Sequence, residues 1–426
     1  MNKFIKSTLL LIFGGFITKI LGMLIRIVMT RYIGIEGIGL YMLIMPTFSL
    51  FIGLCQFGLP IAVTKIVSEN KSNNKNIILI SIILSLIIDV ILMLIIIISS
   101  KFISINLLND YRTYYPLIAI SIVLPFISIS SIIRAYFFGK QKIFPHVFSN
   151  IIEDIVRLII IIIGVPIFLT KGIIYTVCFL VLSNIISELT SIFILYLFLP
   201  NKISINKNDF DFKNIKKITN ISLPTVSTRL IGNIGYFFEP IIITNVLLYI
   251  GYSNNFIVKE YGIISGYVIP LLTIPSFFTN AISSSLLPVI SNDRSNGKNI
   301  NKRIKQGLIF SLLIGIPSTI ILMVFPKELL NLIYNTDLGI NYIRFLAPLF
   351  LLLYIQGPLT SILQAINLSK KAMFGSLIGI LIRTILLFVL SLFKIGLWSL
   401  ILSITFNILY TTIHHIIVLK KELKSI

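Results

Sequence analysis

"GFITKILGMLIRIVMTRYIG", residues 15–34, has the length and apolar content of a helix that crosses a membrane, yet it carries Lys19, Arg26 and Arg31. A cation at the centre of a bilayer costs roughly 2.5–3.5 kcal/mol on insertion scales. Arg26 follows Lys19 by seven residues, two helical turns, so the pair lies on nearly one face. A helix meant only to sit in lipid has no use for such a stripe.

The rest of the chain is equally apolar. Of its 426 residues 56% are hydrophobic and 12% charged, and the mean hydropathy is +1.00. Soluble proteins carry about a quarter charged residues, so the composition is that of an integral membrane protein. The net charge of +21 does not imply nucleic acid, because the basic residues lie in short loops. There they orient helices and meet anionic membrane lipids. Cys55 and Cys178 sit in apolar runs as small hydrophobes, without disulfide or metal-ligand spacing. No metal site is expected.

A crossing takes about 20 apolar residues. Twelve stretches meet this: 7–32, 38–65, 77–99, 114–139, 143–169, 172–199, 216–249, 258–291, 304–326, 340–367, 372–393 and 395–419. Their backbones must satisfy themselves, so they are helices. With the N-terminus placed in the cytoplasm, 22 of the 36 Lys and Arg residues fall in cytoplasmic segments and seven in external ones. This bias predicts a multi-pass cell-membrane protein with both termini cytoplasmic. The polar segment NKISINKNDFDFKNIK follows the sixth stretch. It divides the chain into an N-terminal six-helix lobe (1–200), a cytoplasmic linker (201–215) and a C-terminal six-helix lobe (216–426).

The lobes repeat one another. Thr18-Lys19-Ile20-Leu21-Gly22 recurs as Thr228-Arg229-Leu230-Ile231-Gly232. Phe148-x-x-Ile151-Ile152-x-x-Ile155-Val156-Arg157 recurs as Phe374-x-x-Leu377-Ile378-x-x-Leu381-Ile382-Arg383, and Ile132-Ile133-Arg134-Ala135 faces Ile362-Leu363-Gln364-Ala365. Six crossings per lobe bring both in from the same side, a parallel repeat. Transporters of that plan bind cargo between their halves and expose it alternately to each side.

Cations at mid-depth in both lobes suit a phosphate or pyrophosphate that must cross the bilayer. The candidate cargo-binding residues are Lys19, Arg26, Arg229, Arg383 and Arg157. Arg157 has Glu153 four residues before it and Asp154 three before it, so an ion pair within its helix is an equal alternative. Arg383 has no such local partner. Arg31, Arg134 and Arg344 lie near span ends and are expected to reach the interface. The intramembrane acids Asp89, Glu153, Asp154, Glu188 and Glu239 are candidates for coupling transport to Na+ or H+. Partnership with Arg134 and Arg157 is the structural alternative for the first-lobe acids. Membrane potential is a further source of drive, and no cofactor is expected.

Enzyme signatures are missing: there is no HExxH, GxSxG, P-loop or CxxC. An enzyme is therefore not expected. The stretch 17–70 instead resembles the stage V sporulation protein B family of the multidrug/oligosaccharidyl-lipid/polysaccharide (MOP) exporter superfamily. The likeness rests on Lys19-Ile20-Leu21-Gly22 with Arg26 and Arg31, on Gly34-x-Glu36-Gly37-x-Gly39-Leu40-Tyr41, and on Gln56-Phe57-Gly58-Leu59-Pro60 with Lys65 and Glu69. It is specific for about that stretch; the remainder agrees in repeat plan.

The resemblance implies an all-α integral membrane fold of twelve transmembrane helices in two pseudo-symmetric, MATE-like six-helix lobes. It also implies a flippase that carries a polyprenyl-pyrophosphate-linked saccharide, a cell-wall, polysaccharide or spore-cortex precursor, to the outer leaflet, with cell-wall synthesis proteins as partners. In the related lipid II flippases basic residues of the first helix face the cavity, and Lys19 and Arg26 fall at or next to those places. Two departures are expected to matter: residues 38–64 contain no basic residue, and twelve helices are expected where related flippases often carry two more at the C-terminal end. Alternatives of other kinds are a cation-coupled multidrug efflux transporter of the same fold and a non-transporting scaffold in spore-envelope assembly.

Overall fold

The computed structural model describes residues 3–69, 75–199, 212–297 and 299–425, and within them the chain is helical apart from turns. Nine stretches among the described residues are long and apolar enough to cross a membrane. The first, Phe13–Glu69, holds 57 residues, well over twice what one crossing takes.

By internal contacts the chain divides into two units, Met1–Phe237 and Phe238–Ile426. The division falls inside one long helix and not at the polar segment 201–215, of which 201–211 lie outside the described residues. The reason lies in the first part of that helix. There Asn233 donates from Nδ2 to the Ser49 carbonyl at 3.2 Å, and Ile218 belongs to the buried cluster of the first unit.

The first unit begins with α1 (Lys3–Gln56), which joins two expected helices. The join is Gly34, at φ 64° and ψ −174°, a conformation open to glycine and strained for other residues. After α2 (Leu59–Glu69) and α3 (Lys75–Phe102) the chain passes through a short π-turn and a 3-10 turn into α4 (Tyr114–Gly139), α5 (Ile143–Leu169), α6 (Ile173–Leu197) and α7 (Phe212–Tyr249). Helix α4 packs against α1, α2, α3 and α6, and α5 packs against α1 and α6. The Gly34 bend is tied down at its rim. Arg112, just before α4, grips Asp110 from Nε (3.0 Å to Oδ1) and Nη2 (2.7 Å to Oδ2), and its Nη1 donates to Glu36. The glycine and the acid of the Gly34-x-Glu36 pattern thus have separate tasks, one to turn the chain and one to hold the turn.

The second unit contains the end of α7, then α8 (Asn254–Gly262), a π-turn, α9 (Ile269–Thr273), α10 (Ser276–Ser295), α11 (Asn301–Val324), α12 (Pro326–Tyr334), α13 (Ile340–Ala365), α14 (Ser369–Ser391) and α15 (Trp398–Ser425). The expected single helix 258–291 is broken, because Pro270 and Pro275 each lack the N–H that a continuing helix requires. Helix α12 was not anticipated. It starts on Pro326, ends on left-handed Asn335, and buries Pro326, Leu330 and Tyr334. Helix α13 packs against α10, α11 and α15, and α14 against α15.

Close approach in the first unit has a testable cost. A Cβ on Gly139 would stand 2.8 Å from the Thr64 carbonyl oxygen and 2.9 Å from Val67 Cβ, beside the Thr64 hydroxyl that donates to the Ala135 carbonyl at 3.2 Å. Backbone cannot step aside as a side-chain tip can. Gly139→Ala is expected to destabilise the protein by about 1–3 kcal/mol, the usual range for overpacking. Thermal unfolding in detergent would read this as a lower midpoint, and an unchanged midpoint would refute the tight α2–α4 crossing.

Candidate functional site

Three groups of charged side chains lie on the long apolar helices, and their surroundings differ. On α1, Gly15, Lys19, Gly22 and Arg26 follow a spacing of four, three and four residues, which sets them along one face. Lys19 is exposed within its unit, and among the described residues it has no ion pair. A Cβ on Gly15 or Gly22 would meet nothing within 4 Å. Two bare glycines therefore flank the ammonium and leave it accessible. Arg26 is half-buried, and its Nη2 lies 3.5 Å from Met42 Sδ across the Gly34 bend. The helix that carries Arg229 is described, but the side chain of Arg229 lies outside the described residues.

The second group joins α4, α5 and α6. Arg134 donates from Nη2 to Glu153, to Glu188 Oε2 at 3.1 Å and to Ser191 Oγ at 2.8 Å. This differs from the expectation that Arg134 reaches the interface. The acids of α5 and α6 turn inward and hold it, which removes the need for water. Asp154 and Arg157 stand within the field of the same cluster. The cluster thus counts three carboxylates against two guanidiniums. Arg157 Nε is buried without a hydrogen-bond partner.

The third group belongs to the second unit. Arg383 on α14 donates from Nη2 to Glu239 Oε2 on α7, and the Tyr261 hydroxyl on α8 donates to Glu239 Oε1 at 3.1 Å. The side chain of Glu239 is 4% exposed and that of Arg383 23%. Arg383 lacks a partner along its own helix, as its sequence neighbours require, but it has one across helices. Equivalent positions in the repeat, Arg157 and Arg383, thus meet different surroundings. Lone sequence neighbours could reveal neither Glu239–Arg383 nor the roles of Tyr261 and Ser191, because each contact joins helices far apart in the chain.

Asp89 stands apart from all three groups, fully buried on α3. Its Oδ1 accepts from Ser128 Oγ on α4 at 3.0 Å, and its Oδ2 has no partner among the described residues. Among the described residues no three His, Cys, Asp or Glu side chains converge as a metal site.

Charged side chains held among apolar helices long enough to cross a membrane define a multi-pass membrane protein. Comparison with known proteins narrows that class. A family model described as polysaccharide biosynthesis protein matches residues 4–293, and a MatE model matches 240–389. Stage V sporulation protein B of Bacillus subtilis (strain 168) is 37% identical over 99% of this chain and 84% of its own length. Among solved structures, an inward-facing multidrug resistance MATE family transporter of the MOP superfamily superposes with a TM-score of 0.77 at 14% identity. That match covers 96% of this chain and 95% of the other. The lipid II flippase MurJ in an inward closed conformation gives 0.74 at 19% identity, covering 96% and 87%. The chain belongs to the polysaccharide biosynthesis protein family, and its fold is that of the MATE and MurJ structures.

Proposed function

We propose that the protein is a flippase that moves a polyprenyl-pyrophosphate-linked saccharide to the outer leaflet by alternating access, and that Lys19 and Arg26 bind its phosphates. One observation carries this reading: at membrane depth, Lys19 is exposed, unpaired among the described residues, and flanked by two glycines whose faces are open. A membrane protein without use for that ammonium would replace it, because an unpaired cation there is costly. A phosphate diester or pyrophosphate supplies the missing counter-charge. The family, and the likeness to a protein described as a lipid II flippase, make a lipid-linked saccharide the fitting cargo. Twelve crossings in two six-helix halves, with both termini in the cytoplasm, complete the proposed architecture.

The remaining basic candidates take different places in this reading. Arg383 and Arg134 hold the fold of their own units through carboxylates already present. Arg157, with an unpartnered Nε beside an excess carboxylate, stays on the list of residues that touch cargo or a coupling ion. The acid-rich cluster of the first unit is the feature that favours the second reading, a cation-coupled efflux transporter.

The test follows labelled polyprenyl-linked precursors across the two leaflets of cells depleted of the protein and supplied with wild-type, Lys19→Ala or Arg229→Ala chains. The reading expects precursor to accumulate in the inner leaflet with Lys19→Ala. Normal outer-leaflet delivery with both variants would overturn it, and drug sensitivity without precursor accumulation would point to efflux.

A further inference from the structure

Asp89 presents a charge problem that the cargo does not solve. It lies in the middle of α3, with zero exposure, and α3 packs against α1, α2, α4 and the turn after its own end. Among the described residues the polar groups beside the carboxyl are the Ser128 hydroxyl on α4 and the Cys55 thiol at the end of α1. The thiol itself donates to the Ile52 carbonyl at 3.2 Å. Neither is a cation. Among the described residues an ionised carboxylate here would have one hydrogen bond, one bare oxygen and no counter-charge, in a setting where each unsatisfied polar atom costs several kcal/mol.

A divalent metal ion is short of side-chain ligands here among the described residues. Hard cations take about six or more oxygen ligands, whereas the carboxyl and one serine supply three. A proton needs only the bare oxygen. Two further observations point the same way. Ser85 and Ser81 precede Asp89 by four and eight residues, so the three stand in line along one face of α3. Both serines are fully buried; the Ser85 hydroxyl donates to the Ile82 carbonyl at 2.9 Å, and among the described residues Ser81 Oγ, like Asp89 Oδ2, has no partner. Hydroxyl groups in line with an acid give a proton a route towards the α3 N-terminus, and unpartnered oxygens along it are places for transient water.

We propose that Asp89 is a proton-binding site, neutral in this structure, which exchanges its proton along Ser85 and Ser81 and so links proton movement to the transport cycle. The step is simple: a proton from water joins Oδ2, the carboxylate becomes a carboxylic acid, and no bond other than O–H forms or breaks. The link to transport rests on the transporter reading above; the protonation does not.

Infrared difference spectroscopy of the full-length protein in lipid nanodiscs tests it without any cargo. The expected result is a protonated-carboxyl stretch at neutral pH that moves on labelling the aspartates with 13C at the side-chain carboxyl. The stretch should shift in D2O and be lost in Asp89→Asn. In Ser85→Ala the band should remain while its deuterium exchange slows several-fold, an effect that packing alone would not produce. Isotope labelling leaves the fold untouched, so a misfolded Asn variant would not stall the test. A wild-type spectrum without an aspartic-acid band, or a band unchanged in Asp89→Asn, would overturn the proposal. So would a sodium-dependent rise in thermal midpoint that Asp89→Asn removes. Because cargo takes no part, a positive band with normal export by Lys19→Ala would sink the cargo reading and leave the proton site standing.

Discussion

Lys19→Glu is expected to abolish precursor movement while leaving the protein folded. Lys19 is exposed on α1 and among the described residues makes no ion pair, so nothing within the first unit depends on its charge. Removing it costs the fold little. Its loss matters only where cargo phosphate would sit. A hydrogen bond to a charged group contributes about 1.5–3 kcal/mol, so Lys19→Ala should weaken cargo binding about 10- to 100-fold. The glutamate goes further, because it sets a like charge beside the phosphate. Lys19→Arg keeps the charge and should keep most of the activity. Arg26→Ala differs, since its guanidinium also bridges the Gly34 bend to Met42. It should lower both activity and thermal midpoint. The check is a leaflet assay run beside a melting curve for each variant. A large fall in midpoint for Lys19→Glu would show that the side chain holds the fold instead.

Glu239→Ala should give the largest loss of stability. It strands the Arg383 guanidinium, 23% exposed, and leaves the Tyr261 hydroxyl without its acceptor. Breaking a buried pair by removing one partner typically costs 3–5 kcal/mol, whereas replacing both by apolar residues of similar size is often neutral. Arg383→Met in the Glu239→Ala background should therefore recover much of the loss. Tyr261→Phe should cost less, about 1.5–3 kcal/mol, the contribution of a hydrogen bond to a charged group. The first unit provides a contrast. Arg134 has both Glu153 and Glu188, so Glu153→Gln leaves one carboxylate in place and should be milder than Glu239→Gln. Thermal unfolding in detergent ranks these variants. Equal losses for the two Gln variants, or no recovery in the double variant, would contradict the pairing.

The membrane class and most helix limits were legible because hydrophobic length is a property of contiguous sequence. Helices α4 and α5 begin and end where apolar run and turn residues place them, at 114–139 and 143–169. Pro270 and Pro275 predict kinks in the stretch 258–291, but its full division into separate helices and the short helix α12 were less visible. An apolar stretch of 34 residues reads as one long span until packing shows where proline interrupts it. The stripe of Lys19 and Arg26 was legible from spacing alone. Its openness was not, since that depends on what other helices leave uncovered at Gly15 and Gly22.

Charge partners divide in the same way. Arg157 could be linked to Glu153 and Asp154 because helical neighbours sit three and four residues apart. The partners of Arg134 and Arg383 come from other helices, so no local rule reaches them. The internal repeat was informative about where cations recur and misleading about what surrounds them. Arg383 pairs one-to-one with Glu239, while its counterpart Arg157 shares a cluster rich in carboxylates. Positions that match in the sequence repeat thus carry different electrostatics in the two units.

The most direct measurement is equilibrium binding of a polyprenyl pyrophosphate, with the uncharged polyprenol as control, to the purified full-length protein in nanodiscs. The account predicts that the pyrophosphate binds and the alcohol does not. It predicts that rising salt weakens binding, and that Lys19→Ala with Arg26→Ala reduces affinity at least 100-fold without unfolding the protein. Equal affinity for pyrophosphate and alcohol, or full affinity in the double variant, would contradict it.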